Sequence, residues 1–247
     1  MLSDDFLCAL DAVAFSRSIG IEPDDWQADV LRFEGKRLLL NCSRQSGKST
    51  TTAIKALHTG VYRPNSLILV VSPSQRQSQE LFRKVRQAYV SLANKPTLLE
   101  DNKLSMTFAN GSRIVSLPGD QATVRGYSGV TLILEDESAQ VRDEFYQAIL
   151  PMLVTNNGQF IAMTTPYGKR GHFFTEWHEG GSDWTRIQIT AEQCPRITPA
   201  ELERQKASLG DMFFRQEFLC EFVDTENQTF AYDLVTRAFD DTIQPLF

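Results

Sequence analysis

The nine residues 42–50, Cys-Ser-Arg-Gln-Ser-Gly-Lys-Ser-Thr, have the types and spacing to hold a phosphate. They follow an apolar run, Leu38–Leu40, and precede a helix-like stretch, Thr51–His58. A strand, a tight loop and a helix in that order aim backbone N–H groups and the positive end of a helix dipole at an anion. Within the loop, Ser43, Arg44, Gln45, Ser46, Gly47 and Thr50 would surround the phosphates. Lys48 would reach the β- and γ-phosphates, and Ser49 would hold Mg²⁺. The usual first glycine of such a loop is replaced by Cys42, so the chain must enter without a positive φ there. A chance Gly-Lys-Ser in a surface turn would lack the strand before and the helix after.

A second cluster is Thr131-Leu-Ile-Leu-Glu-Asp-Glu137, an apolar strand that runs into acids. Ligands sit at the carboxyl ends of strands in open parallel sheets. Asp136 is expected to hold Mg²⁺ through its water shell, and Glu137 to activate an attacking water. Glu135 is expected to face away, and the bland alternative is a solvated acidic turn. Two arginines could neutralise transition-state charge: Arg44 in the loop, acting in cis, and Arg125 in Val124-Arg-Gly126, reaching a neighbouring subunit. For Arg125 a surface role or a structural ion pair is the alternative. Gln27, beside Trp26, has the donor and acceptor needed to read an adenine edge, although a helix Gln next to a core Trp is usually structural. Thr164 and Thr165 close another strand and could sense a terminal phosphate if that strand neighbours the acidic one. Arg76, Arg83, Lys84 and Arg86 share one helix and could touch a phosphate backbone, or be a solvated face.

These groups need a scaffold. Helices are predicted over 4–18, 24–33, 75–92, 145–153 and from Thr198 to Leu209. Strands are predicted over 38–41, 66–72, 131–134 and 160–164, with an edge strand over 184–189 and a hairpin, 104–108 with 113–117, around Asn110-Gly111. Thr198-Pro-Ala-Glu201 reads as a capping box, and Gly210 as the stop. Strands apolar on both faces and alternating with helices predict an α/β fold with a mostly parallel sheet. The chain has 247 residues, 42% of them hydrophobic, and a net charge of −6, which argues against bulk electrostatic coating of DNA but leaves room for a local basic patch. Its four cysteines have no metal or redox spacing, so a reducing, cytosolic setting is expected. The longest apolar run, Leu67–Val71, is too short to span a bilayer, and the acidic start is unlike a secretory signal.

The order of these motifs resembles the ATPase part of tailed-phage large terminases, the motors that pump double-stranded DNA into a procapsid. The resemblance spans about residues 22–235. It rests on Trp26-Gln27, Ser43–Ser49, Ser72-Pro-Ser-Gln75, Val124-Arg-Gly126, Leu134-Glu-Asp-Glu-Ser138, Thr164-Thr-Pro-Tyr-Gly168 with Gly171, and Phe214–Phe222. It implies a P-loop NTPase of the ASCE type over 1–190, and a small C-terminal lid or linker over 191–247. It implies ATP and Mg²⁺ as ligands, adenine reading by Gln27, Arg44 in cis, Arg125 in trans, and Thr164 and Thr165 as the coupling motif. The implied partners are double-stranded DNA, the portal protein, the small terminase subunit and a homo-oligomeric, pentameric ring, with a monomer in isolation. No membrane is involved; the implied location is the host cytoplasm, docked transiently on the portal. Family members continue into an RNase H-like nuclease, so this stretch alone is not expected to cut DNA. Two other readings share some motifs: a superfamily 2 helicase-like ATPase, and a scaffold that binds nucleotide without hydrolysing it.

Overall fold

Strand β1 (Arg37–Cys42) is buried at every residue after the first, as are β2 (Leu67–Ser72) and β7 (Gln159–Thr164), and β6 (Leu132–Asp136) is buried throughout. Side chains alternate between the faces of a strand, so each of these strands feeds two cores. Leu38, Leu40, Ile68, Val70, Leu132 and Leu134 pack on one face with Phe15, Ile54, Leu57 and Phe82. Leu39, Leu69, Val71, Ile133 and Phe160 pack on the other with Phe145, Ile149 and Phe173. Each fully buried side chain of this size contributes roughly 2 kcal/mol. The structure is a computed structural model and describes residues 2–119, 126–224, 234 and 238.

Eight strands form one sheet in the order β3-β4-β5-β2-β6-β7-β1-β8. Strands β5 (Arg113–Pro118), β2, β6, β7, β1 and β8 (Thr185–Ile189) run parallel to one another. Strands β3 (Leu98–Asp101) and β4 (Ser105–Phe108) extend the sheet antiparallel. The predicted α/β fold with a mostly parallel sheet and flanking helices is therefore present. Strand β7 separates β1 from β6, so the phosphate-loop strand and the acidic strand share one neighbour, and the carboxyl ends of all three lie together.

The first face is covered by α2 (Ala12–Ser18), α3 (Asp25–Arg32), α4 (Lys48–Tyr62) and α5 (Gln75–Val90); the second by α6 (Asp143–Ile149) and α7 (Gly171–Glu179). Helices α8 (Pro199–Leu209) and α9 (Asp211–Glu217) follow. The predicted helix over 4–18 is two helices, α1 (Leu2–Leu10) and α2. They break at Asp11, whose carboxylate accepts the Val13 N–H at 3.0 Å and caps the second. The predicted helix over 145–153 is α6 followed by a 3₁₀ turn, with Pro151 inside the turn. The Asn110-Gly111 hairpin forms, and Asn110 anchors it by donating to the carbonyls of Gly60 and Val61 on α4. At Thr198 only half of the predicted box is made: its hydroxyl accepts the Glu201 N–H, while the Glu201 carboxylate turns to Arg204 and Gln205. Among the described residues no helix is long and apolar enough to cross a membrane.

Candidate functional site

Cys42 is the last residue of β1 and pairs in register with Ile189, so its backbone is extended and the missing glycine costs nothing. The positive φ values of the loop fall instead at Gln45 (60°) and Gly47 (99°). Gly47 is the N-cap residue before α4, and a Cβ there would stand 2.6 Å from the amide nitrogen of Gln27. Ser43 is buried with a hydroxyl that has no hydrogen-bond partner. An orphaned buried donor inside a glycine-dependent cradle fits an oxyanion.

The distant motifs meet at this loop. The Ser49 hydroxyl donates to the Asp136 carboxylate at 3.2 Å. Lys48 is buried; its ammonium donates to the Thr165 hydroxyl at 3.1 Å and lies 3.8 Å from the Glu137 carboxylate. Thr165 donates in turn to the Cys42 carbonyl at 3.1 Å, tying the end of β7 to the start of the loop. Thr164 accepts the Ala139 N–H at 3.3 Å, tying the same strand end to the turn after Glu137. The two threonines thus stand between the loop and the acids, as their predicted place beside the acidic strand requires.

Electrostatics mark the same place. Burial, reinforced by the neighbouring Glu137 charge, pushes the Asp136 carboxyl up to about 6, against the pull of Lys48 and Lys84. A buried carboxylate raised in this way is relieved by a cation. Asp136 and the Ser49 hydroxyl supply two hard oxygens side by side, which suits Mg²⁺. Among the described residues no group of three or more His, Cys, Asp and Glu could hold a metal ion. Lys84, one of the four basic residues on α5, is half-buried, and burial lowers its pKa while Asp136 raises it. The rest of that basic helix is partly spoken for: Arg83 pairs with Glu80, and Arg86 with Asp101.

Gln27 sits at the loop, but both ends of its amide are engaged. Its oxygen accepts the Asp24 N–H at 2.9 Å, closing a capping box on α3, and its nitrogen donates to the Ser46 carbonyl at 3.4 Å. Trp26 is buried in the first-face core. The Arg44 guanidinium pairs with Glu217 of α9, and the Arg44 N–H donates to the Glu217 carbonyl at 3.1 Å. Arg125 lies outside the described residues. A cavity of about 570 Å³ opens between the loop and the C-terminal helices, with Arg44, Gln45, Arg196, Phe213 and Glu217 in its wall. A larger one, of about 1120 Å³, is lined by Pro73, Asp143 and Arg170 and contains none of the groups gathered around Lys48. The chemistry follows the charges rather than the larger volume.

Residues 39–237 match the family described as terminase large subunit, T4likevirus-type, N-terminal. The chain belongs to this large-terminase family. The large terminase of Thermus virus P23-45 is 25% identical over 252 residues, covering 88% of this chain and 52% of that protein. The large terminase of Escherichia phage T5 is 27% identical over 230 residues, covering 85% and 50%. This chain thus spans about half the length of the curated relatives it matches. A mutant of the large-terminase ATPase domain of Thermus phage P74-26 superposes with a TM-score of 0.74 at 21% identity, covering 85% of this chain and 98% of that one. The large terminase of a thermophilic bacteriophage, solved in complex with ATP-γ-S, gives 0.66 at 12% identity, covering 81% and 52%. The fold is that of the P-loop NTPase-like large-terminase ATPase domains.

Sequence reasoning about this large-terminase chain passed over three groups that the fold brings in. Arg196 pairs with Asp24 and donates to the Ser46 carbonyl at 2.6 Å. Glu217 holds Arg44. His172 lies buried behind the acidic strand, bonded to Glu135 at 2.8 Å. Only His172 had a local signal, a polar residue beside two phenylalanines, Phe173 and Phe174, in the first turn of a helix.

Proposed function

We propose that this chain binds Mg-ATP and hydrolyses it, as the motor domain of a large terminase that drives double-stranded DNA into a procapsid. The observation that supports this best is the convergence of Lys48, the Ser49–Asp136 pair, Glu137 and Thr165 at the carboxyl ends of three adjacent strands. The loop N–H groups and Lys48 would cradle the β- and γ-phosphates. Ser49 and Asp136 would hold Mg²⁺, which when bound neutralises charge developing on the transferred phosphoryl oxygens. Glu137 would accept the proton of the attacking water and, being within reach of Lys48, would face the terminal phosphate. Trp26 and Gln27, with Ser43, Gln45, Ser46, Gly47 and Thr50, would complete the nucleotide site. Gln27 spends one N–H and one oxygen lone pair on Ser46 and Asp24, and the second N–H and lone pair of its amide would read adenine.

Arg44 would act in cis after leaving Glu217, and Arg125 in trans across a ring. Thr165, bonded to Lys48, and Thr164, bonded to the turn after Glu137, would report loss of the γ-phosphate along β7. Residues from about 191 would form the lid, with the Arg44–Glu217 pair as its contact with the loop. Family membership favours a packaging motor over a helicase-like enzyme, and on that reading the portal and the small subunit would be its partners. The test is a pair of variants. Lys48→Ala should lose the rise in melting temperature that ATP gives the wild type. Glu137→Gln should keep that rise and lose turnover. An unchanged hydrolysis rate in Glu137→Gln overturns the reading.

A further inference from the structure

Glu137 has an unusual backbone. Its φ and ψ are 52° and 42°, in the left-handed region. A non-glycine residue there costs on the order of 1–3 kcal/mol and persists only when its surroundings hold it. Three fastenings surround it. The Asp136 carboxylate accepts the Glu137 N–H at 3.1 Å. Thr164 holds the Ala139 N–H. The third is Ser138, whose hydroxyl donates to the Glu135 carboxylate and lies 2.9 Å from the Nε2 of His172.

His172 closes this last group. Its Nε2 contacts the Glu135 carboxylate at 2.8 Å. Its ring is stacked on Tyr146, with centroids 4.3 Å apart and planes 10° from parallel. Its backbone N–H donates to the Asp143 carboxylate at 2.7 Å. Glu135, Ser138 and His172 are all buried, so the carboxylate relies on the Ser138 hydroxyl and this imidazole for its hydrogen bonds. The histidine belongs to α7, the helix after the threonine-bearing strand. Yet it grips residues two before and one after Glu137.

We propose that His172 is a positioning residue for Glu137: by clamping Glu135 and Ser138 from α7, it holds the strained turn that aims the Glu137 carboxylate. This rests on the reading of Glu137 as the base that activates water. The imidazole does not touch substrate. It fixes the backbone on either side of the residue that does, and it makes the position of that carboxylate depend on the helix downstream of the coupling threonines.

Kinetics and exchange on the full chain test this. In His172→Phe, kcat for ATP hydrolysis should fall about tenfold or more, the effect of misplacing a reacting group by a fraction of an ångström. KM and the ADP-induced rise in melting temperature should be unchanged, and the amides of Ala139, Gln140 and Val141 should exchange faster. His172→Gln, whose side-chain N–H can still donate to Glu135, should recover most of the rate. Ser138→Ala, which removes one hydroxyl, should show the kcat loss with an intact fold, and decides the matter if His172→Phe does not fold. The proposal is overturned if Ser138→Ala and the folded histidine variants keep kcat to within about twofold of wild type. It is also overturned if His172→Gln loses ADP binding and rate together. If Glu137→Gln hydrolyses ATP normally, the reading of Glu137 falls instead, and the exchange comparison still shows whether His172 holds the turn.

Discussion

Replacing Gly47 with alanine tests the cradle directly. Gly47 has φ 99° and ψ 6°, beyond the comfortable range of an L-residue, so alanine there costs about 1–2 kcal/mol in backbone strain. The new Cβ would also stand 2.6 Å from the Gln27 amide nitrogen and 3.5 Å from Arg196. A free glutamine would swing aside, but this one is held by the Asp24 N–H at 2.9 Å and the Ser46 carbonyl. Moving it opens the capping box of α3, worth about 1 kcal/mol. The sum is about 2–3 kcal/mol, or a fall in melting temperature of roughly 5–10 °C for a chain of this size. Gly20→Ala is the control: φ is +82°, but nothing lies within 4 Å of its Cβ, so only the strain remains. Differential scanning calorimetry of both variants, with and without ATP, separates the two costs. Wild type should gain about 2.7 kcal/mol at a hundredfold excess of ATP over its Kd, and Gly47→Ala should gain almost none. If Gly47→Ala melts with Gly20→Ala and is stabilised by ATP like the wild type, the close approach of Gln27 to the loop is not what the geometry says.

Glu217→Gln should lower stability by no more than about 1 kcal/mol: the Glu217 side chain is only 11% exposed, but the Arg44 side chain it meets is 68% exposed and screened, and the amide keeps an oxygen to accept its N–H. Urea titration measures that, and ATP turnover should not fall, whereas Arg44→Ala should lower it by orders of magnitude. Thr165→Val removes the partners of Lys48 and the Cys42 carbonyl, two bonds of about 1 kcal/mol each. Its kcat should fall more than its affinity for ADP. Stability should also depend on pH through His172. Burial opposes the imidazolium, but Glu135 on β6 and Asp143 on α6 outweigh it and raise its pKa above 6.5, while Tyr146, bonded to Glu176, stacks on it. A raised folded value gives stability that is complete below about 6.5 and is lost as pH rises through the folded pKa. Denaturant unfolding from pH 6 to 9 should show that loss in the wild type and not in His172→Phe. Asp136 acts at lower pH. Its raised carboxyl costs stability as pH rises from 3.8 to about 6, so the two windows are distinct.

Much of this protein is legible along the chain because the signals are local. The phosphate loop is contiguous, and β1, β2, β6 and β7 announce themselves as runs that are apolar on both faces. Asp136 and Glu137 end such a run, and Lys48 follows one. The strand Leu98–Asp101 escaped notice because it is mostly exposed and ends in two acids, so no period of two marks it. What the chain could not show is which ends meet. Lys48 and Thr165 are 117 residues apart, Arg44 and Glu217 173, and Glu135 and His172 37. Their contacts depend on β7 lying between β1 and β6, and on helices returning to those strand ends. Periodicity decides which face of an element is buried. It does not decide which element lies against it, and so the residue types came from the sequence while their partners were set only by the packed sheet.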